Sequence, residues 1–184
     1  MWRDFWARSG SNVPDRTFVL GGTRSGKSRY ARERANALGG ERVSFIATAR
    51  PGDPELDARI AAHRADRPPA WQTIEADWDL PGAVRRAQGT NVLLIDSLTL
   101  WVSSAMERSL SVRDLWQQTQ DALDGRRAAV LVVSDEVGLG IVPVNASARA
   151  FRDELGWVHQ GVAAWADEVL FMIAGIAMRV KGDR

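Results

Sequence analysis

The chain has 184 residues, enough for one domain with a full core, and no cysteine. That composition excludes disulfides, thiolate zinc sites and cysteine nucleophiles, and it suits the cytoplasm. A formal net charge of +1 argues against a whole-chain electrostatic nucleic-acid binder, and no apolar run reaches the length of a membrane span.

The opening MWRDFWARSGSNVPDRT has charges and no sustained apolar core, so it does not read as a secretory signal. Residues 1–16 are expected to form a flexible extension. Thr17 to Leu20 is a short apolar run and reads as a strand, and Ser28 to Leu38 reads as a helix. Between them stands GGTRSGKS, Gly21-Gly22-Thr23-Arg24-Ser25-Gly26-Lys27-Ser28. Strand, glycine loop and helix in that order is the setting in which G-x-x-x-x-G-K-[ST] binds phosphate. Glycines let backbone N–H groups turn towards an anion, and the helix adds its positive N-terminal end. Lys27 supplies a charge for the terminal phosphates, and the Ser28 hydroxyl is placed to hold Mg²⁺.

Val43 to Ala47 reads as a second strand, and the glycine and proline of Thr48 to Gly52 mark a loop. Asp53-Pro54 has the form of an N-cap followed by proline at the first helical position. The helix it opens runs to about Ala65, with Leu56, Ile60 and His63 on one face, and Arg67-Pro68-Pro69 ends it. Trp71 to Glu75 reads as a strand and Leu80 to Gln88 as a short helix. Asn91 to Asp96 is a continuous apolar run ending in an acid, as in buried parallel strands. Leu98 to Met106 and Val112 to Leu123 read as helices, and Ala128 to Ser134 as another buried strand. After a loop over Gly138 to Pro143 comes a long helix, Ser147 to Ala166. Val169 to Ala174 reads as a late strand, and Ile176 to Val180 as a last one. Strands alternating with helices argue for an α/β fold, a mostly parallel sheet layered by helices.

Asp96 ends its strand about seventy residues after the glycine loop. An acid there completes a Mg²⁺ shell in proteins with such loops, and it would also serve as a cap for the helix that follows. His63 has two readings. As a histidine at a helix end it caps free carbonyls. As a neutral imidazole it attacks phosphorus, provided a carboxylate orients the ring, for which Asp57, Asp66 and Glu75 are candidates. Arg59, Arg64 and Arg67 surround it and could neutralise a triphosphate or simply face solvent. His159 reads as structural or exposed. The eight Trp residues are scattered and read as core and rim material.

These residues carry a resemblance. GGTRSGKSRYA, FIATAR, RIAAHRADRP, the acid in LLIDSLTLWV, and SDEVGLGIVPVNASARAFRDELGWVHQ keep their order over nearly the whole chain after residue 16. Together they resemble the bifunctional adenosylcobinamide kinase / adenosylcobinamide-phosphate guanylyltransferase family of coenzyme B12 assembly. The resemblance implies a RecA-like P-loop fold over residues 17–184, assembled as a homotrimer. It implies phosphorylation of adenosylcobinamide by ATP or GTP, then transfer of GMP from GTP through a covalent histidine to the new phosphate. It places that histidine at His63. It places nucleotide contacts at Gly21 to Ser28, at Ala47, Thr48 and Ala49, at Arg64, Ala65, Asp66 and Arg67, at Glu75 and at Asp96. Mg²⁺ falls to Ser28 and Asp96. The sequence departs from the family pattern at Asp135, where Asn is expected, and at Ala62 beside the histidine. Two other readings stand beside this one: a P-loop kinase of another small molecule with His63 as a cap, and a nucleotide-dependent switch without chemistry.

Overall fold

A computed structural model describes residues 16–52 and 54–182, excepting the side chains of Leu56 and Arg59. The expected extension over 1–16 therefore lies outside the described residues but for Arg16, as do the Asp53 cap, the Leu56 contribution to the helix face and the setting of the Arg59 side chain.

The elements run β1 (Arg16–Gly21), α1 (Lys27–Gly39), β2 (Val43–Ala47), α2 (Pro54–Ala65), β3 (Gln72–Glu75), α3 (Leu80–Arg86) and β4 (Val92–Asp96). They continue with α4 (Leu98–Glu107), α5 (Val112–Asp124), β5 (Ala129–Asp135), α6 (Ala146–Trp165), β6 (Glu168–Ile173) and β7 (Ile176–Lys181). The sequence-read elements differ from these only by a residue or two at their ends.

One sheet of seven strands has the order β3-β2-β4-β5-β1-β6-β7. Every neighbouring pair is parallel except β6 with β7, a hairpin closed at Ala174-Gly175. Such a turn needs left-handed backbone at both residues, supplied by Ala174 at φ 50 and Gly175 at φ 82. The crossover helices lie on both faces because each parallel connection must return along the sheet.

The period-2 alternation of the strands sorts the core into two layers. Phe18, Leu93, Ile95, Val130 and Val132 point to one face, where Trp101 of α4, Trp116 of α5, and Leu155, Val158 and Val162 of α6 cover them. Val19, Phe45, Leu94, Leu131 and Val133 point to the other, where Ala31 and Ala35 of α1 pack. Small alanines let α1 sit close to the strands. β4 and β5 are buried on both faces, which is why they read as unbroken apolar runs. Trp101 is wholly buried, and its indole N–H donates to the Trp78 carbonyl at 2.8 Å, so the ring enters the core without an unpaired donor.

Candidate active site

Parallel strands end together, and what ends together can meet. Gly21 of β1 lies beside Asp135 of β5, and Ala47 of β2 lies between Glu75 of β3 and Asp96 of β4. The C-terminal edge of the sheet thus gathers most of the residues singled out in the sequence, in the place where open α/β sheets bind ligands.

The glycine loop springs from this edge. A Cβ on Gly21 would meet the Met172 carbonyl and the Ser25 hydroxyl, both at 2.7 Å, so only glycine fits against β6 there. Gly26 adopts φ 94 at the N-cap of α1, a left-handed turn that brings the helix start back over the sheet edge. No side chain caps this helix end, and α1 has no acid in its first turn. The positive end of α1 is left for an anion.

Lys27 is buried, with its ammonium donating to the Gly22 carbonyl at 3.1 Å and paired with the Asp135 carboxylate. The Ser28 hydroxyl donates to Asp96 Oδ1 at 3.4 Å. Burial pushes the Asp96 carboxyl above the usual range, opposed by the Ser28 hydrogen bond and by the charges of His63, Lys27 and Arg32. Asp96 is not the cap of α4. Ser97 holds that position, with no side-chain cap bond, while the Asp96 carboxylate faces Ser28.

Thr48 closes the floor between β2 and β4. Its hydroxyl donates to the Ser97 carbonyl at 2.6 Å and accepts from the Ser97 N–H at 2.8 Å, which locks the loop after β2 to the end of β4. Thr48 is buried by this role, and Ala49 beside it is half-buried at the opening.

α2 crosses above this floor. Among its described side chains none is buried, and only Ile60 and His63 are half-buried. Among the described residues, no carboxylate is hydrogen-bonded to the ring of His63. Its Nδ1 lies 3.3 Å from Arg32 Nη1 instead. Arginine has no acceptor, so a hydrogen bond between the two uses the Nδ1 lone pair. The three candidate carboxylates are engaged elsewhere. Asp66 binds Arg32 Nη2 at 3.1 Å, Asp57 accepts from the Gly52 N–H at 3.1 Å, and Glu75 pairs with Arg64 at 3.4 Å. Sequence reading missed Arg32, although it lies four residues after Ser28, on the same face of α1.

Arg67 is half-buried with its guanidinium 3.6 Å from the centre of the Phe45 ring. Burial pulls it below the usual arginine range, against the nearby Asp96 charge, which raises it. Arg64 and Asp66 are exposed, as is Ala65 between them. Two buried polar atoms here have no partner: Arg67 Nε and, in the glycine loop, Ser25 Oγ. Buried donors without partners are costly, and phosphate oxygens would satisfy both.

The other histidine belongs behind the site. His159 is buried rather than exposed, 2.8 Å from Ser134 Oγ through Nε2, with its ring against Phe18. Burial lowers its pKa to about 4, with Glu136 and Asp135 pulling it upwards. Beyond Asp135, the loop before α6 displays Leu139, Ile141, Val142 and Val144, all exposed. Among the described residues no group of three or more His, Cys, Asp or Glu is placed to hold a metal, and no helix is long and apolar enough to cross a membrane.

A mostly parallel sheet with β5 between the loop strand β1 and the acid strand β4, and a glycine loop opening α1, defines a RecA-like P-loop nucleotide-binding protein. Solved structures agree on the fold. The flagellar accessory protein FlaH from Methanocaldococcus jannaschii matches with a TM-score of 0.55 at 14% identity, over 98% of this chain and 84% of that one. A type III secretion system ATPase of pathogenic bacteria matches at 0.52 and 14% identity, over 89% of this chain and 56% of that one. Sequence comparison is more specific. The family model for cobinamide kinase / cobinamide phosphate guanyltransferase matches residues 17–180. The bifunctional adenosylcobalamin biosynthesis protein CobP of Pseudomonas aeruginosa is 42% identical, over 91% of this chain and 98% of its own length. The corresponding protein CobU of Salmonella typhimurium is 37% identical, over 89% and 98%. The chain belongs to the cobinamide kinase / cobinamide phosphate guanyltransferase family, whose two activities make it a transferase of cobalamin biosynthesis.

Proposed function

We propose that the chain phosphorylates the aminopropanol hydroxyl of adenosylcobinamide with ATP or GTP, and then transfers GMP from GTP to that phosphate through His63. The observation that carries this reading is the joining of His63 to the glycine-loop helix through Arg32, which puts an imidazole and a phosphate cradle in one site.

In the first step the substrate hydroxyl oxygen attacks the γ-phosphorus and releases its proton to solvent, the bond to the β–γ bridging oxygen breaks, and the nucleoside diphosphate leaves. In the second, an unprotonated ring nitrogen of His63, free of other bonds, attacks the α-phosphorus of GTP, the bond to the α–β bridging oxygen breaks, and pyrophosphate leaves. An oxygen of the cobinamide phosphate then attacks the same phosphorus, and the nitrogen–phosphorus bond breaks. All three are substitutions at phosphorus, so catalysis is positioning and charge neutralisation. The covalent step keeps activated GMP in the site until the acceptor arrives.

Gly21 to Ser28 hold the phosphates, with Lys27 as their cation. Arg32 and Arg67 lie towards the α-phosphate, where the planar guanidinium suits phosphate oxygens. Ala47, Thr48, Ala49, Arg64, Ala65, Asp66 and Glu75 line the same edge as nucleotide contacts. Ser28 and Asp96 are the groups for Mg²⁺. Their hard oxygens, the first hydroxyl 3.4 Å from the second carboxylate, fit that ion, and a cation there would offset the burial of the Asp96 charge. Bound Mg²⁺ supplies neutralisation of the phosphate charge.

The reading includes assembly as a cytoplasmic homotrimer. The edge strand β7 with its neighbours supports self-association, since Ile173, Ile176, Met178 and Val180 are all half or more exposed.

The reading is tested by supplying adenosylcobinamide with ATP, then GTP, and following the corrinoid by mass spectrometry. A phosphate should be gained first and GMP second. A corrinoid that gains neither mass overturns the assignment, and one that gains only phosphate leaves a kinase in which His63 plays no chemical part.

A further inference from the structure

We propose that Asp135 sets how tightly the glycine loop holds a nucleoside triphosphate, by competing with its terminal phosphates for Lys27. The proposal rests on the reading of Lys27 as the phosphate cation.

The pair is built by the sheet. Gly21, from which the loop springs, is the lateral neighbour of Asp135 across β1 and β5. Lys27 lies buried against that edge, with the Asp135 carboxylate and the Gly22 carbonyl as its partners. The backbone of Asp135 is anchored from behind. Its N–H donates to Thr99 Oγ1 at 2.8 Å, Thr99 Oγ1 lies 3.2 Å from Ser134 Oγ, and Ser134 Oγ lies 2.8 Å from His159 Nε2. Ser134 is wholly buried and His159 nearly so, which makes this chain of hydrogen bonds a fixed support for the end of β5. Asp135 itself keeps 29% of its side chain exposed, so its carboxylate stands at the rim, facing the loop.

A triphosphate that recruits Lys27 draws it from this carboxylate. It also brings its own negative charge to the place the carboxylate already occupies. Both effects weaken binding, and both depend on the charge of Asp135 rather than its shape. An amide in its place still offers an oxygen to Lys27 without the charge. A diphosphate puts less charge beside Asp135 and suffers less. Asp135 therefore discriminates against the triphosphate at equilibrium, and it keeps the loop cation neutralised between turnovers.

The test uses the full chain with Mg²⁺, titrated with a fluorescent non-hydrolysable GTP analogue and, separately, with GDP. Wild type, Asp135→Asn and Lys27→Ala are compared. Asp135→Asn should bind the triphosphate analogue about tenfold more tightly, a change of about 1.4 kcal/mol, with a smaller gain for GDP. Lys27→Ala should bind both more weakly than wild type. Asp135→Ser carries the same expected sign if the amide disturbs folding, which thermal melting reports. If Lys27→Ala weakens binding while Asp135→Asn leaves it unchanged or weaker, the competition is refuted and the phosphate-loop reading stands. Unchanged affinity with loss of kinase turnover also refutes it and gives Asp135 a part in turnover instead. If Lys27→Ala binds as wild type does, the phosphate-loop reading fails and this proposal with it.

Discussion

Arg32 Nη1 lies 3.3 Å from His63 Nδ1, and the same guanidinium holds Asp66 at 3.1 Å through Nη2. One arginine on the glycine-loop helix thus grips both the last turn of α2 and the residue just beyond it. With no buried side chain among its described residues, α2 owes its place over the site to contacts of this kind.

Arg32→Ala should slow formation of the guanylylated protein by tenfold or more, an order-of-magnitude expectation for losing a positioning cation. Arg32→Lys should recover only part of the rate, because an ammonium does not reproduce the planar fork. Single-turnover labelling measures this. Full activity in Arg32→Ala would show that His63 is positioned by other groups.

Asp96→Asn keeps the shape of the group that faces Ser28 and removes its charge. The Mg²⁺ concentration for half-maximal turnover should rise about tenfold or more, in both reactions. Chelation of the metal should abolish both reactions in wild type. Unchanged metal dependence in Asp96→Asn would separate Asp96 from the cation.

Acid should destabilise the protein through His159. Its pKa in the fold, about 4, is below the 6.5 of the free side chain, so between these values the unfolded chain binds a proton that the native one does not. This contribution is complete above about pH 6.5 and is lost as the pH falls towards 4, with a full size of about 3 kcal/mol. Asp96 acts in the opposite sense. Burial raises its pKa, so the native state holds a proton that the unfolded chain has released, and acidification through that window favours folding. His159→Gln retains a partner for Ser134 and should flatten the fall in melting temperature between about pH 7 and pH 4.5. An equally steep fall would place the acid sensitivity elsewhere.

Trp101→Ala should cost about 3–5 kcal/mol of stability, since it empties a wholly buried site and removes the indole hydrogen bond to the Trp78 carbonyl. Chemical denaturation measures the loss. A loss below about 1 kcal/mol would mean that α4 repacks to fill the space.

Much of this architecture was legible in the chain because its signals are local. The apolar runs Val92 to Ile95 and Val130 to Val133 show burial on both faces directly. The loop from Gly21 to Ser28 carries its own geometry in its glycines. What sequence hid was lateral. Nothing in the chain order puts Asp135 against Lys27, because their meeting follows from β5 lying next to β1, a matter of strand order. The carboxylates near His63 in sequence offer themselves as its partner, but the group present is a guanidinium 31 residues away on another helix. Arg67, beside two prolines, reads in sequence either as a phosphate-binding charge or as part of a solvated face, and it is half-buried against Phe45 of β2. Its setting depends on how the chain passes from α2 to β3.

The central claim is that His63 carries GMP. Incubation with α-labelled GTP and Mg²⁺, followed by denaturation, measures it directly. Wild type should hold a label that is lost in acid and kept in base, as a phosphoramidate is, and His63→Asn should hold none while still phosphorylating adenosylcobinamide. A label that persists in His63→Asn, or its absence from wild type, would contradict the account.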